Sequence, residues 1–555
     1  MRNRAPWLGG LILITASAMR LYALGREALW CDEAYTALTA RLPLGEMISR
    51  QLRTDDAPPF FYLLEMLVTS LAGTSEAAVR LVSAAAGILT VVLLLRWRDR
   101  CATASAFFGA AFVAVAAYGV FHSRQARSYA LLILLALVLV LSAKDLLLGR
   151  RRSGWWLAVS GVLLCLTHHV AVILVLTSLC LWPIGGPRRP PGRSWLLWHL
   201  PPLTLWAGLW LVASRQFEVH SVLNAWTATY WKTHPLWLAP FYSVGIFVPG
   251  GLPASALGTG FATADGLSPV WIVLSAALGF ACLLLVPWRA REPAERREAL
   301  LEAAFLVLPL FALLATSLVV TPVYILTRTD ALAYPAFALL IGRGLALAPR
   351  RAAGGVLLFW IAISLATLAP TYGWGNLSRA KQTDRRLARD LAADGLTSDD
   401  WIIHTFMTSP SIEYYLDRMG VAHRIAWFPE VGADNTASTW PTPLDSLPAY
   451  VEEAADLRRR IEEAMPDDGV AYVFGFVEPV AAEAIVKGQG IRVLTVDQIG
   501  YPVSALVYAL LGTQPATPFA IYRQDYVGGQ RVVLRIPRAS WAPPATKPPA
   551  PESMR

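Results

Sequence analysis

From its first residues to about position 370, this 555-residue chain repeats one pattern: long apolar runs broken by short polar stretches, several of them rich in arginine. An α-helix pairs every backbone N–H and C=O within itself, so about 20 consecutive apolar residues suffice to carry a chain across a bilayer. Candidate spans are 6–24, 77–95, 102–121, 130–148, 155–167, 169–183, 195–213, 268–287, 299–319, 331–347 and 354–370. The pair 155–167 and 169–183 is individually short and reads as two tilted helices meeting at Thr167-His168-His169. Charged residues make up only 16% of the chain, against about 25% in a soluble protein. The expected fold is a polytopic α-helical membrane protein of about eleven transmembrane helices, followed by a C-terminal soluble α/β domain.

The arginines provide an orientation. Arg96/Arg98/Arg100, Arg150–Arg152, Arg188/Arg189/Arg193, Arg289/Arg291/Arg296/Arg297 and Arg350/Arg351 follow alternate spans and share a side with the N-terminus. Basic loops face the cytoplasm, which predicts a cytoplasmic N-terminus and an extracytoplasmic C-terminal domain. The same distribution argues against nucleic acid as the partner of the +9 net charge, because these arginines sit in span-joining loops and trace no phosphate-tracking groove. Two further apolar stretches, 58–72 and 236–250, each open near proline. Counting either as a span would move arginine clusters to the wrong face, so both read as interfacial or re-entrant helices. Ala16-Ser17-Ala18 resembles a signal cleavage site, but the apolar run continues through Leu24 and predicts an uncleaved first helix. The five cysteines form no disulfide framework.

The predicted domains are a transmembrane part over 1–370, with a first outer loop at 25–76, a soluble part over 371–541, and a Pro/Ala-rich tail over 542–555. Within the soluble part, Trp401–Phe406, Val470–Phe476, 491–496 and 530–536 read as strands, and 411–419 and 478–488 as helices. No Gly-x-Gly-x-x-Gly or P-loop is present, so no nucleotide site is expected.

Polar groups gather at the outer ends of the spans. The first outer loop carries Asp32 and Glu33 among apolar and aromatic residues, a setting suited to general-base work, and continues to Asp55-Asp56 and Pro58-Pro59. After the third span comes His122-Ser123-Arg124-Gln125-Ala126-Arg127-Ser128-Tyr129; outward arginines run against the orientation rule and suggest recognition of an anion. Thr167-His168-His169 and Tyr324-Ile325-Leu326-Thr327-Arg328-Thr329-Asp330 complete the set. Each segment alone is also what a helix cap or interfacial anchor would look like. Adjacent histidines point about 100° apart on a helix and make a poor metal pair.

Together these residues resemble the GT-C superfamily of membrane glycosyltransferases, particularly bacterial members of glycosyltransferase family 39, which includes relatives of protein O-mannosyltransferases and aminoarabinose transferases. The resemblance rests on Trp30-Cys31-Asp32-Glu33-Ala34-Tyr35-Thr36, Pro58-Pro59-Phe60-Phe61-Tyr62-Leu63-Leu64, Ala78-Val79-Arg80-Leu81, Arg127-Ser128-Tyr129-Ala130-Leu131 and Thr167-His168. A weaker echo lies in Asp400-Trp401-Ile402-Ile403 and Tyr414-Tyr415-Leu416. It departs where family members have His-Pro-Pro against Ala57-Pro58-Pro59, and Arg-Tyr against Arg328-Thr329.

The resemblance implies an inverting transfer of a sugar from a polyprenyl-phosphate donor to an acceptor hydroxyl on glycan, lipid or protein, at the outer face of a bacterial plasma membrane. Asp32 would be the catalytic carboxylate, with Glu33 supporting it or binding the acceptor. Arg127 and Arg328, then Arg124, are the candidate phosphate contacts; His122, Tyr129, His168 and Asp56 are further candidate substrate-binding residues. No cofactor and no obligatory metal are expected. The competing readings are a lipid-linked sugar flippase or transporter, and a polysaccharide ligase or polymerase. Trp226, Tyr230, Trp231 and Trp237, in the loop 214–267, would serve either as stacking platforms of a lid or as an interfacial aromatic belt.

Overall fold

A helix that is apolar on every side has to lie against lipid or other helices all round. The computed structural model describes residues 5–54, 57–97, 103–150, 154–214, 231, 235–251, 269–289, 292–369, 372, 383–405, 409–429, 447–477, 505–507, 509–511, 518–523 and 530–542. The chain divides into two compact units, Met1–Glu27 with Thr39–Asn376, and Ala28–Leu38 with Leu377–Arg555.

The first unit is helical. In chain order come α1 (Ala5–Leu21), α2 (Cys31–Thr39, nearly all of it in the second unit), α3 (Leu44–Thr54), α4 (Phe60–Ala72), α5 (Leu81–Trp97), α6 (Thr103–Val115) and α7 (Ala117–Ser123). They are followed by α8 (Tyr129–Leu147), α9 (Trp155–Cys165), α10 (Val172–Cys180), α11 (Gly192–Ser214), α12 (Ala239–Phe247), α13 (Pro269–Arg289), α14 (Pro293–Val319), α15 (Tyr334–Leu347) and α16 (Arg350–Leu368). Among the described residues, five helices are long and apolar enough to cross a membrane, and six if a bent pair counts as one. That pair is α6 and α7. The run expected as one span at 102–121 bends by 59° at Ala116, whose φ of −59° and ψ of 125° leave the helical region. Several other expected spans fall on shorter helices, such as Trp155–Cys165 and Tyr334–Leu347. Their ends are drawn into turns, as at Thr167-His168, where His168 Nδ1 accepts from the Val170 N–H at 3.4 Å and caps the turn leading into α10.

Helix α15 is buried along almost its whole length. Two glycines make this possible. A Cβ on Gly342 would lie 2.3 Å from the Ser105 carbonyl of α6, and one on Gly344 would lie 2.3 Å from the Cys282 carbonyl of α13. Small residues at such crossings let helix backbones approach closely. By contrast α13 leaves Val270, Val273 and Phe280 exposed, as a lipid-facing helix would.

Charged side chains are buried where α8, α14 and α15 meet. Lys144 pairs with Glu302 and, at 3.3 Å, with Glu298. Arg343 binds Glu302 through two nitrogens at 2.9 and 3.0 Å, and Arg150 binds Glu298 through two more at 3.0 and 2.9 Å. A buried charge is tolerable only when paired in this way.

Among the described residues the second unit contains a mixed five-stranded sheet in the order β2-β1-β3-β5-β4. Its strands are β1 (Trp401–His404), β2 (Arg424–Trp427), β3 (Val470–Val477), β4 (Pro518–Arg523) and β5 (Gln530–Pro537). β1 runs parallel to β2 and β3, while β5 is antiparallel to β3 and β4. Helices α17 (Thr383–Ala393), α18 (Ser409–Met419) and α19 (Leu447–Ala464) belong to the same unit. α19 turns Val451, Ala454, Leu457 and Ile461 into a core with Ile403 and Val473 of the sheet. The expected helix 478–488 and strand 491–496, and nearly all of the expected tail, lie outside the described residues.

Candidate active site

The acidic pair sits in the first turn of α2, with Cys31 as the first helical residue. The unsatisfied N–H groups at that end favour negative charge. Glu33 is the third residue of the helix, and its Oε2 accepts from the Trp30 N–H at 3.4 Å. This is the returning half of a capping box. Asp32, one position earlier, is half-buried, and Glu33 is buried. The approach to the helix is tied as well: the Leu29 N–H donates to the Tyr415 hydroxyl of α18 at 2.8 Å, a bond between residues 386 apart within the second unit.

A second cluster lies within the helical unit, and it joins motifs that are far apart in sequence. Arg127 Nη1 donates to the Tyr62 hydroxyl at 3.3 Å. The Phe60 N–H donates to the Leu166 carbonyl at 3.0 Å, so α4 begins against the end of α9. The Tyr129 ring lies 6.3 Å from His168 and 5.3 Å from His122, centroid to centroid. Three of the expected residues, His122, Tyr129 and His168, are thus joined by ring contacts, and Arg127 is joined to Tyr62, within one unit. Ser83 Oγ donates to the Arg127 carbonyl at 3.0 Å and fixes the start of that segment. The His122 ring is 1% exposed, packed by Tyr118 and Phe121 as well as Tyr129, and neither nitrogen has a hydrogen-bond partner among the described residues.

Arg124 has a different task. Its guanidinium donates to the carbonyls of Met19, Arg20, Tyr22 and Ala23 at 3.4, 3.0, 2.7 and 3.2 Å, and it lies 4.7 Å over the Tyr372 ring. Those are carbonyls at and just past the C-terminus of α1, which lack partners within the helix. Arg124 therefore closes a helix end. Asp56 lies outside the described residues, as do Trp226 and Tyr230. Of the other two loop aromatics, Trp237 is exposed and Trp231 is buried, its Nε1 donating to the Tyr324 carbonyl at 2.7 Å.

Behind this cluster is a network that the residue pattern alone did not single out. Tyr118 Oη donates to Asp330 Oδ1 at 3.0 Å, and Ser243 Oγ donates to Asp330 Oδ2 at 2.8 Å. Ser243 has one proton to give, and Tyr324 Oη lies 2.9 Å from the same oxygen, so Tyr324 is the donor in that contact. Burial pushes the Asp330 carboxyl up to about 6, against the hydrogen bonds from Ser243 and Tyr118 that pull it down. The network anchors the turn carrying Arg328. Just before it, Thr327 has a φ of 64°, a left-handed conformation that a β-branched residue adopts only when its surroundings impose it. Ser317 accepts from the Tyr324 N–H at 2.8 Å and Thr329 from the Ile325 N–H at 2.9 Å, which together hold the turn in that shape. The signal in the sequence was Asp330, already inside the Tyr324–Asp330 motif; nothing local marks Tyr118 or Ser243. Among the described residues no group of three His, Cys, Asp or Glu side chains is placed to hold a metal.

The helices define a class: a polytopic helical membrane protein. Two crystal structures of ArnT from Cupriavidus metallidurans share the fold. The apo form matches with a TM-score of 0.52 and 13% identity over 97% of this chain and 98% of that one. The form bound to undecaprenyl phosphate matches with a TM-score of 0.50 and 15% identity over 97% of this chain and all of that one. At this identity the likeness shows the fold. No protein-family model and no curated protein sequence matches the chain.

Proposed function

We propose that this protein is an inverting glycosyltransferase that moves a sugar from a polyprenyl-phosphate donor to an acceptor hydroxyl at the outer face of a bacterial plasma membrane. The observation that carries the reading is the bond between Arg127 and Tyr62. It unites two of the motif segments on which the glycosyltransferase resemblance rests, and the residue two places on from Arg127, Tyr129, lies against His122 and His168. Undecaprenyl phosphate, the ligand in one of the ArnT structures of this fold, is the product such a donor would leave.

In this mechanism the acceptor oxygen attacks the anomeric carbon as Asp32 takes its proton. The bond from that carbon to the phosphate oxygen breaks, and the electron pair leaves with the polyprenyl phosphate. Arg127 and Arg328 stabilise the charge that develops there, because guanidinium forks match phosphate oxygens. Tyr129, His122 and His168 shape the donor site, and Glu33 supports α2 through its cap. Base assistance of this kind is worth about 10²–10⁴-fold in rate. A donor that already carries its activating phosphate on a lipid requires no nucleotide motif, which agrees with the sequence. The arginine clusters in alternate loops support a cytoplasmic N-terminus, a transmembrane part over 1–370 and an extracytoplasmic part over 371–541.

The test is consumption of polyprenyl-phosphate sugars by the purified full chain, read as release of polyprenyl phosphate. Donor that binds and is never consumed, but crosses the bilayer of a proteoliposome, would replace this reading with that of a flippase.

A further inference from the structure

The acidic helix α2 comes from the N-terminal end of the chain, yet Ala28–Leu38 forms part of the unit made by Leu377–Arg555. Two successive backbone amides lead the chain into this helix, and each is held in its own way. The Trp30 N–H is met from within, by Glu33 of the same helix. The Leu29 N–H is met from outside, by the Tyr415 hydroxyl at 2.8 Å.

Both partners of the second bond are buried, Leu29 at 0% and Tyr415 at 4% exposure. A backbone amide in such a place must be paired. The Tyr415 ring is itself fixed in orientation, edge-on to Tyr414 at 4.9 Å and with the Arg385 guanidinium 5.6 Å from its centroid. The hydroxyl therefore sits at the end of a ring that α17 and α18 hold in place. The bond sets where the backbone enters α2, three residues before Asp32.

We propose that Tyr415 is a positioning residue: through the Leu29 amide, the C-terminal unit sets the place of Asp32. The proposal rests on the glycosyltransferase reading for the role of Asp32. It gives the C-terminal unit a part in the transfer step that does not require it to bind donor or acceptor. A carboxylate displaced by about 1 Å can lose 10²-fold in rate, so a single hydroxyl far along the sequence is expected to matter to turnover and not to donor affinity.

Tyr415→Phe removes the acceptor and keeps the ring, so the packing against Tyr414 and Arg385 remains. Tyr414→Phe is the matched control, because it removes a hydroxyl that accepts from Arg418 at 3.2 Å and does not touch the Leu29 amide. Hydrogen–deuterium exchange of the 28–38 segment and steady-state transfer are measured on both, in the full chain. For Tyr415→Phe the expected results are faster exchange at Leu29, a kcat lowered by about tenfold to a hundredfold, and a donor KM within about twofold of the parent. Tyr414→Phe is expected to match the parent in all three. Unchanged exchange at Leu29 overturns the docking. Faster exchange with unchanged kcat overturns the positioning role, as does a rise in donor KM with kcat intact. A parent that transfers no sugar overturns the glycosyltransferase reading and the kinetic role with it, and exchange at Leu29 then still decides the docking.

Discussion

Arg127 and Tyr62, 65 residues apart, meet through a guanidinium-to-phenol hydrogen bond of 3.3 Å. The phenol holds the guanidinium in position. Arg127→Ala is expected to weaken binding of a polyprenyl phosphate by about 10- to 100-fold, since a hydrogen bond to a charged group is worth roughly 1.5–3 kcal/mol. Tyr62→Phe removes only the support and is expected to cost less. Titration of both variants with polyprenyl phosphate in detergent checks the order.

Arg124 should behave in the opposite way. Its bonds to the carbonyls of Arg20, Tyr22 and Ala23 close the end of α1. Arg124→Ala is expected to lower thermal stability, by roughly 1–3 kcal/mol, while leaving donor affinity in the folded fraction near that of the parent. A selective loss of donor binding with unchanged melting would assign it to the phosphate instead.

Asp330 carries a pH dependence. Its carboxyl is raised to about 6 by burial, while in the unfolded chain it ionises near its ordinary value of 3.8. The folded state therefore holds the proton more tightly. Stability from this group is fully present below about pH 4, falls as pH rises through about 6, and is lost above. Asp330→Asn cannot ionise and is expected to flatten that part of the curve, measured as melting temperature against pH from 3.5 to 7.5 in about half-unit steps.

The buried charges around Glu302 predict a large single-site effect. Glu302 is paired with Lys144 and takes two bonds from Arg343. Glu302→Ala leaves Lys144, Arg343 and Arg150 around Glu298, and is expected to cost about 3–5 kcal/mol. Lys144→Met added to Glu302→Leu should recover part of that loss, because the desolvation cost leaves with the charges. Thermal unfolding of the single and double variants decides it.

The helical unit was largely legible because its signal is local. A run such as 130–148 can be only a helix in lipid or in a bundle, and it is α8, Tyr129–Leu147. The bend at Ala116 was not legible, since alanine is a good helix former and the bend is set by the surrounding packing. In the second unit, Val470–Phe476 and 530–536 are β3 and β5, while β2 and β4 went unread. β2, Arg424–Trp427, has three apolar residues behind an arginine, short of the run of about four that a strand signal needs, whereas β1 opens a longer pattern at Trp401. Helix α19 was readable in principle, for Val451, Ala454, Leu457 and Ile461 fall on one face.

The candidate site divides along the same line. Arg127, Tyr129, His168 and Arg328 are visible as polar residues at the ends of apolar runs. Ser243 and Tyr118 are not, because each is one hydroxyl in an apolar stretch and acquires its role only when folding brings it to Asp330. The bond from Leu29 to Tyr415 is beyond any local pattern, and the segment 25–76 is divided by fold, Ala28–Leu38 joining residues of the far end of the chain.

The most direct test of the central claim is transfer from a panel of polyprenyl-phosphate sugars by the parent and by Asp32→Asn, with donor binding measured on the same preparations. The account predicts turnover in the parent, a loss of about 10²–10⁴-fold in the variant, and donor binding retained in both. Equal turnover by the two proteins would contradict the role of Asp32, and a parent that binds donor without ever consuming it would contradict the enzyme.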